Sequence, residues 1–503
     1  MKSTSEQSLL NSYLQDESRK TGSSDRIFFP ETEADVISIF QQNPDTPVTL
    51  QGARTGLTAG CVPEGGLTVN LERMNRILDF QPSETGGSIT VQPGILLQTL
   101  RQYLEQNSTP RTLFFPPDPT EATASLGGMV SCNSSGARSF RYGAVREYVT
   151  ALDMILPDGD KLRVTRGEFF ADDLRFCLHT CSGRLISGTL PNLRMPQVKK
   201  HTAGYYIRPN MDLIDLFIGA EGTLGVITSI QLCLLPQKKY RWGAVLFLPE
   251  ETCALSLVQV LRRLSDSVRF PLDALEFFGR DALNLLRYAQ ISGQILQDME
   301  RIREDAGCAL YIEFTSDDRA LLMDAFRQSG EALSAAGGDP ARSWAAINAF
   351  HIRRLREFRH AAPECVNTKI REIKKTLPQI TKLGTDLSVP DSRLEAVFSL
   401  YRQGIREGGF ESAIFGHIGN NHVHVNLIPH DIDQYARGKA MFSCWAEKIV
   451  KMGGTVSAEH GIGKLKTGLL KQLYSAEQID AMRQLKRCFD PKMRLNRGNI
   501  FEV

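Results

Sequence analysis

The sequence predicts an α+β protein: a glycine-rich first half of short strands and helices, an antiparallel sheet with helices on one face, and a helical return at the C-terminus. Three observations carry this reading. Between Ile27 and Pro236, short apolar strands alternate with helices and glycine-rich turns. The polar stretch Pro236-Gln237-Lys238-Lys239 then punctuates the chain. Beyond it, longer strands and helices alternate at a size that suits an antiparallel layer. The resulting divisions are 1–25, 26–237, 238–453 and 454–503.

Composition narrows the function classes. The 503 residues are 42% apolar and 23% charged, enough for several cores and unlike a disordered chain. Fifty-nine basic against 57 acidic residues, with no basic stripe, give no footprint for nucleic acid. Ten scattered cysteines without a C-x-x-C pair read as reduced thiols, mostly buried, and speak against an iron–sulfur cluster. The polar N-terminal stretch lacks the apolar core of a signal peptide, and no apolar run reaches 18 residues. These features predict a cytoplasmic protein without a transmembrane segment.

Residues 1–25 read as a polar helical lead-in. A helix over 33–41 precedes the strand Val48–Leu50, and Leu67–Leu71 and Ser88–Val91 read as further strands before a helix at Leu96–Glu105. Met154–Leu156 and Lys161–Val164 flank Pro157-Asp158-Gly159-Asp160, which has hairpin turn chemistry. After the boundary, strands are expected at Trp242–Leu248, Leu272–Phe278 and Ala309–Phe314. Helices are expected at Cys253–Leu264, Arg319–Ala335 and 431–452, with a strand–turn–strand at 412–428.

Four segments could carry chemistry. The turn Gly52-Ala53-Arg54-Thr55-Gly56-Leu57-Thr58-Ala59-Gly60 follows a strand, and its small residues let successive N–H groups face an anion. It is neither a Walker A loop nor G-x-G-x-x-G. A second run, Phe115-Pro116-Pro117-Asp118-Pro119 through Thr123, Ser125, Gly127, Gly128, Asn133 and Gly136 to Tyr142-Gly143, again permits close backbone approach to a flat or charged ligand. A third, Gly219-Ala220-Glu221-Gly222 through Ile227, places an acid among glycines. Each alone would also pass as an ordinary turn; two anion-friendly loops in one domain favour a dinucleotide.

The fourth is the strongest. Five of nine histidines (417, 422, 424, 430 and 460) fall within 44 positions, where even scatter would put about one. In His422–Leu427, period-two alternation sets His422, His424 and Asn426 on one face and the valines and leucine on the other. A turn at Gly419-Asn420-Asn421 could bring His417 to His424, and Glu459-His460 adds a carboxylate and an imidazole. Two imidazoles and a carboxylate form a catalytic divalent-metal set; scattered surface or core histidines remain the alternative.

Taken in order, G-A-R-T-G-L-T-A-G, P-P-D-P, L-G-G-M-V-S-C-N-S-S-G-A-R-S-F-R-Y-G, G-A-E-G-T-L-G-V-I, G-H-I-G-N-N-H-V-H-V-N, A-E-H-G-I-G and L-N-R-G-N-I-F resemble one family, from about residue 26 to 501. It is the FAD-linked D-2-hydroxy-acid dehydrogenases, of the vanillyl-alcohol-oxidase type. Its members include D-lactate dehydrogenase, the glycolate oxidase flavin subunit and D-2-hydroxyglutarate dehydrogenase.

The resemblance implies a two-subdomain PCMH-type FAD-binding domain, an antiparallel-sheet cap and a C-terminal return. The loop at 52–60 would cradle the pyrophosphate, and Pro117, Asp118, Thr123, Ser125, Gly127, Gly128, Asn133, Gly136, Tyr142, Gly143, Glu221, Gly222 and Ile227 would line the rest of FAD. Lacking the histidine by which some relatives attach flavin, the first loop implies non-covalent FAD. His417, His424 and Glu459 would hold Zn²⁺, with Mn²⁺ or Fe²⁺ also suited. His460 would be the base, Arg359 would take the substrate carboxylate, and Asn426 would touch the substrate. The implied activity is oxidation of a D-lactate-like 2-hydroxy acid. A separate acceptor would take the electrons: a quinone pathway, an electron-transfer flavoprotein, a cytochrome or an iron–sulfur subunit. Glycolate, D-2-hydroxyglutarate and a non-catalytic electron-relay subunit are the alternatives. Homo-oligomerisation and peripheral attachment at the inner face of a membrane stay open.

Two departures from the family pattern stand out. Asn420-Asn421-His422 replaces the usual Asp-Gly-Asn, which makes His422 a competitor for the metal. Gly384-Thr385-Asp386 lacks the lysine of hydroxyglutarate enzymes, and Pro363 replaces their threonine, which tilts the substrate toward lactate-like acids.

Overall fold

The computed structural model describes residues 2–502. Its first half is two small α/β units. In one, Val48–Gln51, Leu67–Asn70 and Arg26–Phe29 pair in parallel. Helix Glu33–Gln42 covers that sheet through Val36, Ile39 and Phe40, its start fixed by a reciprocal Thr32–Asp35 capping box. In the other, Ile77–Pro82, Gly87–Val91, Val226–Pro236, Val149–Ile155 and Lys161–Thr165 form an antiparallel sheet. Helix Leu97–Asn107 buries Leu97, Leu100 and Leu104 in the core that this sheet shares.

Beyond Gln237 lies a seven-stranded antiparallel sheet in the order Trp344–Ala346, Tyr240–Leu248, Cys308–Ser316, Leu272–Phe278, Glu411–His417, His422–Ile428 and Leu383–Gly384. Helices cover both faces, not one. Leu246, Leu310 and Ile312 share a core with helices Glu251–Ser265 and Arg319–Ala335. The alternating residues Val245, Ala309 and Tyr311 meet helices Arg280–Ile291 and Ala349–Lys374. The unbroken apolar runs of these strands have this cause, since a sheet buried on both sides needs apolar residues at every position.

The chain then returns to the first unit. Val48 N–H donates to Arg494 O and Asn496 N–H to Val48 O, both at 2.9 Å, extending the parallel sheet by a C-terminal edge.

The helical lead-in expected at 1–25 is mostly absent. Lys2–Thr4 is a strand antiparallel to Arg26–Phe29, and only Gln7–Leu10 and Asn11–Tyr13 turn helically. Leu10 packs with Ile27 and Phe29 in a small separate cluster, so burial against the sheet edge, not helix propensity, decides this segment. The cysteines are also less buried than expected: all ten are free and only Cys308 is fully enclosed.

Candidate functional site

One C-terminal segment, residues 457–464, ties the glycine-rich loops to the cap. Glu221 accepts from the N–H groups of Ile462 and Gly463, one with each carboxylate oxygen, both at 2.7 Å. Thr58 Oγ1 donates to His460 O (3.1 Å), and Lys464 N–H donates to Thr58 O (2.9 Å). On the cap side, Asp386 accepts from the N–H groups of Glu459 and His460, each at 3.0 Å. The first loop, the third loop and the cap sheet therefore jointly hold Glu459 and His460.

The loop at 52–60 is suited to an anion. Arg54 and Ala59 both have positive φ (61° and 59°), which curls the backbone between them. Among the described residues, no protein acceptor takes the N–H groups of Thr55, Gly56, Leu57 or Thr58. Ser125 caps the helix Leu126–Ser131, and its Oγ accepts from Ala53 N–H (3.3 Å), linking the first two loops. A Cβ on Gly52 would overlap that oxygen. These uncommitted donors fit a pyrophosphate. The Arg54 side chain points elsewhere, with its guanidinium 4.3 Å from the Tyr13 ring and 3.7 Å from Glu72.

The other expected FAD-lining residues fall along the same loops. Gly127 and Pro117 are buried; Gly128 and Thr123 are exposed, and Thr123 hydrogen-bonds Glu121. Asn133 Oδ1 accepts from Arg146 N–H, and Gly136 presses against Asp118 O. Asp118 pairs with Arg101 at 2.6 Å, Tyr142 reaches Asp273, Gly143 ends the helix Ser139–Tyr142 at positive φ, and Gly222 and Gly60 occupy turns. Ile227 is buried in the strand Val226–Pro236.

On the cap, the strands Glu411–His417 and His422–Ile428 place His417 directly opposite His422. Val423, Val425 and Leu427 point into the core, so the histidines turn the other way. His417 Nε2, His422 Nδ1 and His424 Nε2 lie 3.3, 3.8 and 3.9 Å from Glu459 Oε2. The other oxygen, Oε1, accepts from Ser135 Oγ (2.6 Å) and from Lys200 Nζ. One carboxylate oxygen is thus satisfied, while the other faces three imidazoles. His430 is not part of the group; it pairs with Glu411 at the surface.

The far nitrogen of each ring faces an acceptor: Glu276 Oε1 at 2.7 Å for His417 Nδ1, Thr385 O at 3.1 Å for His424 Nδ1, and Asp386 Oδ1 at 3.1 Å for His422 Nε2. Such partners fix the tautomer that leaves the inner nitrogen free for a metal. Burial lowers the pKa of His424 well below the usual range, helped by His422 and His417, and lowers that of His422 against the pull of Asp386. Burial alone would raise Glu459, but His417 and Lys200 hold it well below the carboxylate range. Burial would lower the His417 pKa, but Glu276 and Glu459 outweigh it and raise it above the usual imidazole range. Three imidazoles around a carboxylate are a donor set that fits a divalent ion, whose binding would displace the His417 proton.

His460 stacks on His424, ring centroids 5.8 Å apart, and its Nδ1 lies 3.4 Å from Asp386 Oδ2. That contact directs the Nδ1 proton to the carboxylate and leaves Nε2 as an acceptor. Burial lowers the His460 pKa, opposed by Asp386. Arg359 is buried on helix Ala349–Lys374, with Nε 3.2 Å from Glu276 Oε2. Glu276 thereby bridges the arginine and His417. Helical phase turns Arg359 inward while Arg353 faces solvent. Asn426 Nδ2 donates to Ala413 O (3.3 Å) and, more weakly, to His424 O.

Four residues of this site escaped the sequence reading: Asp386, Glu276, Lys200 and Ser135. Glu276 did leave a trace, being an acid inside the otherwise apolar half of Leu272–Phe278. Lys382 is a fifth. It is solvent-exposed and makes no ion pair among the described residues, yet the protein around it lowers its ammonium to about 8. A Cβ on Gly384 would stand 3.1 Å from Asn426 Oδ1 and 3.6 Å from Lys382 Cε, so the two side chains flank one point.

Comparison with known proteins agrees with this layout. Residues 24–165 match the FAD binding domain family, and residues 244–500, just over half the chain, match the FAD linked oxidases C-terminal domain. The chain is 27% identical to a D-lactate dehydrogenase of Anaerostipes hadrus, covering 93% of this chain and 87% of that one. It is 27% identical to the glycolate oxidase subunit GlcD of Bacillus subtilis (90% and 84%) and 28% to a D-2-hydroxyglutarate dehydrogenase of Stutzerimonas stutzeri (94% and 90%). In fold it is similar to p-cresol methylhydroxylase, with TM-score 0.67 at 14% identity over 99% of this chain and 94% of that one. A further fold neighbour is alkyldihydroxyacetonephosphate synthase, with TM-score 0.62 at 16% identity over 98% and 81%. With a PCMH-type FAD-binding fold and both family domains matched, this chain belongs to the FAD-linked oxidases, as an oxidoreductase of the D-lactate, glycolate and D-2-hydroxyglutarate dehydrogenase kind.

Proposed function

We propose that the protein oxidises a D-2-hydroxy acid of the D-lactate type to its 2-oxo acid, using non-covalent FAD and a divalent ion, and passes the electrons to a separate acceptor. The observation that supports this most is the segment 457–464, which sets His460 beside the histidine–glutamate group while its backbone touches the first glycine-rich loop. When bound, FAD supplies the hydride acceptor, and a zinc, manganese or iron ion held by His417, His424 and Glu459 supplies Lewis acidity at the substrate oxygen.

The chain's own residues do the rest. Arg359, its Nε anchored on Glu276 and its Nη1 3.0 Å from His360 Nε2, offers its Nη2 donors to the substrate carboxylate. Asn426 flanks the same face of the sheet and orients the substrate. His460 accepts the hydroxyl proton at Nε2, and Asp386 behind it stabilises the imidazolium that forms.

The test is anaerobic bleaching of the flavin by D-lactate, L-lactate, glycolate and D-2-hydroxyglutarate in turn. Bleaching by D-lactate and not by L-lactate is the expected result. Bound FAD that none of these acids reduces would sink the reading and favour a relay subunit.

Lys382 favours a second reading, a 2-hydroxy acid bearing a second anionic group. Its free ammonium belongs to a side chain that flanks Asn426 across Gly384, on the face of the sheet that carries the histidines. Faster bleaching by D-2-hydroxyglutarate than by D-lactate would support it.

A further inference from the structure

We infer that His422 is a third imidazole ligand of the divalent-ion site, so that three histidines and one carboxylate hold the ion. This rests on the metal reading above and adds a ligand at the position where the sequence departs from the family's usual Asp-Gly-Asn.

His422 is 0% exposed, and neither ring nitrogen has a hydrogen-bond partner of acceptable geometry. Its Nε2 faces Asp386 Oδ1 at 3.1 Å, close enough to be oriented by that carboxylate. Its Nδ1 faces inward, 3.8 Å from Glu459 Oε2, and meets no donor. A buried acceptor nitrogen without a donor bears an uncompensated desolvation cost. A cation at the centre of the group removes that cost.

The four donor atoms of His417, His422, His424 and Glu459 all lie within 4.8 Å of one another. The His422 ring is nearer to His424 (centroids 4.5 Å) than His417 is (5.5 Å), so it lies within the group and not behind it. Each of the three rings faces an acceptor at its far nitrogen; His422 differs in turning Nδ1 inward where His417 and His424 turn Nε2, and in facing a carboxylate that also serves His460. Four protein donors would hold the ion firmly, and expansion to five-coordination would admit the substrate oxygen; three imidazoles favour zinc, cobalt or ferrous iron over magnesium. The ion should therefore stay bound without substrate.

The experiment uses the FAD-loaded full-length protein, stripped of metal by a chelator and reloaded with Zn²⁺. X-ray absorption at the zinc edge counts the imidazoles, and competition with a chromophoric chelator gives the affinity. The expected result is one zinc per chain with three imidazoles in the wild type. His422→Asn should show two, with affinity lower by about 100-fold or more, beyond what loss of an outer partner costs. The wild-type count needs no variant, so a His422→Asn protein that fails to fold leaves the test intact. A wild type with one zinc and two imidazoles overturns the inference and leaves the metal reading standing. A wild type that takes up no stoichiometric ion overturns both.

Discussion

The two halves of the site are built from different material. In the half that matches the FAD binding domain, the first glycine-rich loop offers backbone: uncommitted N–H groups between Arg54 and Ala59, with Gly52 pressed on Ser125 so that the loops can close. In the cap half, side chains from separate strands and loops converge: His417, His422 and His424 from a hairpin, Glu276 from the next strand, Asp386 from beyond helix Ala349–Lys374, and Glu459 from the returning tail. A backbone site is sensitive to added volume and indifferent to most side-chain chemistry. A side-chain site tolerates small losses of volume and fails when a charge or a proton acceptor is removed. Variants in the two halves should therefore break different measurements.

The largest effect is expected in the cap half. His460→Ala should retain FAD, because the segment's ties to Thr58 and Asp386 run through the His460 backbone. Flavin reduction by substrate should slow by about 10² to 10⁴-fold, the usual contribution of a positioned base. A near-normal reduction rate would remove His460 from that role.

Gly52→Ala tests the other half. Its Cβ would overlap Ser125 Oγ, and relieving that overlap should lower stability by about 1–3 kcal/mol and weaken FAD binding. Thermal unfolding and FAD titration read both effects. Adding Ser125→Ala removes the overlapping atom and should recover part of the loss. If Gly52→Ala binds FAD normally, close approach of the two loops is not what the cofactor needs.

The two halves also differ in how far the sequence discloses them. Runs of small residues let a backbone curl, and the curl of the loop at 52–60, with its uncommitted N–H groups, was legible for that reason. The hairpin histidines were legible through density and strand phase, which also sorted Val423 and Val425 into the core. Arg359 was not legible from pattern, because the basic run around it with Pro363 hides a 26-residue helix. Asp386 lies in a loop past the short strand Leu383–Gly384 and carries no spacing signal, and Glu276 left only the trace of an acid in a buried strand. Their partners come from 73 and 141 positions away, a proximity that only the tertiary fold creates. The two-sided burial of the cap sheet was present in the text of Tyr240–Leu248 and Cys308–Ser316, as apolar residues at nearly every position.

Arg359→Lys is a milder cap variant. The lysine can still meet Glu276, so the fold and His417 stay in place, but it loses the planar fork that meets both carboxylate oxygens. The expected loss in kcat/KM is about 10 to 100-fold, the worth of one or two charge-assisted hydrogen bonds. No change in kcat/KM would mean that another cation takes the substrate carboxylate.

Lys382→Met should have the smallest effect and the most informative one, because it separates the two substrate readings. If Lys382 meets a second anionic group, KM for D-2-hydroxyglutarate should rise about tenfold in the variant while KM for D-lactate stays put, matching loss of one charge-assisted hydrogen bond. The pH dependence gives an independent check. The crowding that lowers the ammonium to about 8 leaves it protonated below that value and neutral above it. Its hold on a second carboxylate is therefore present below pH 8 and lost as the pH rises through 8, and KM for the dicarboxylate should climb across that window in the wild type only. D-lactate, with nothing for the ammonium to grip, should show no such climb. Equal responses of both substrates to the substitution would place Lys382 outside the substrate's reach and return the specificity to Arg359 and Asn426 alone.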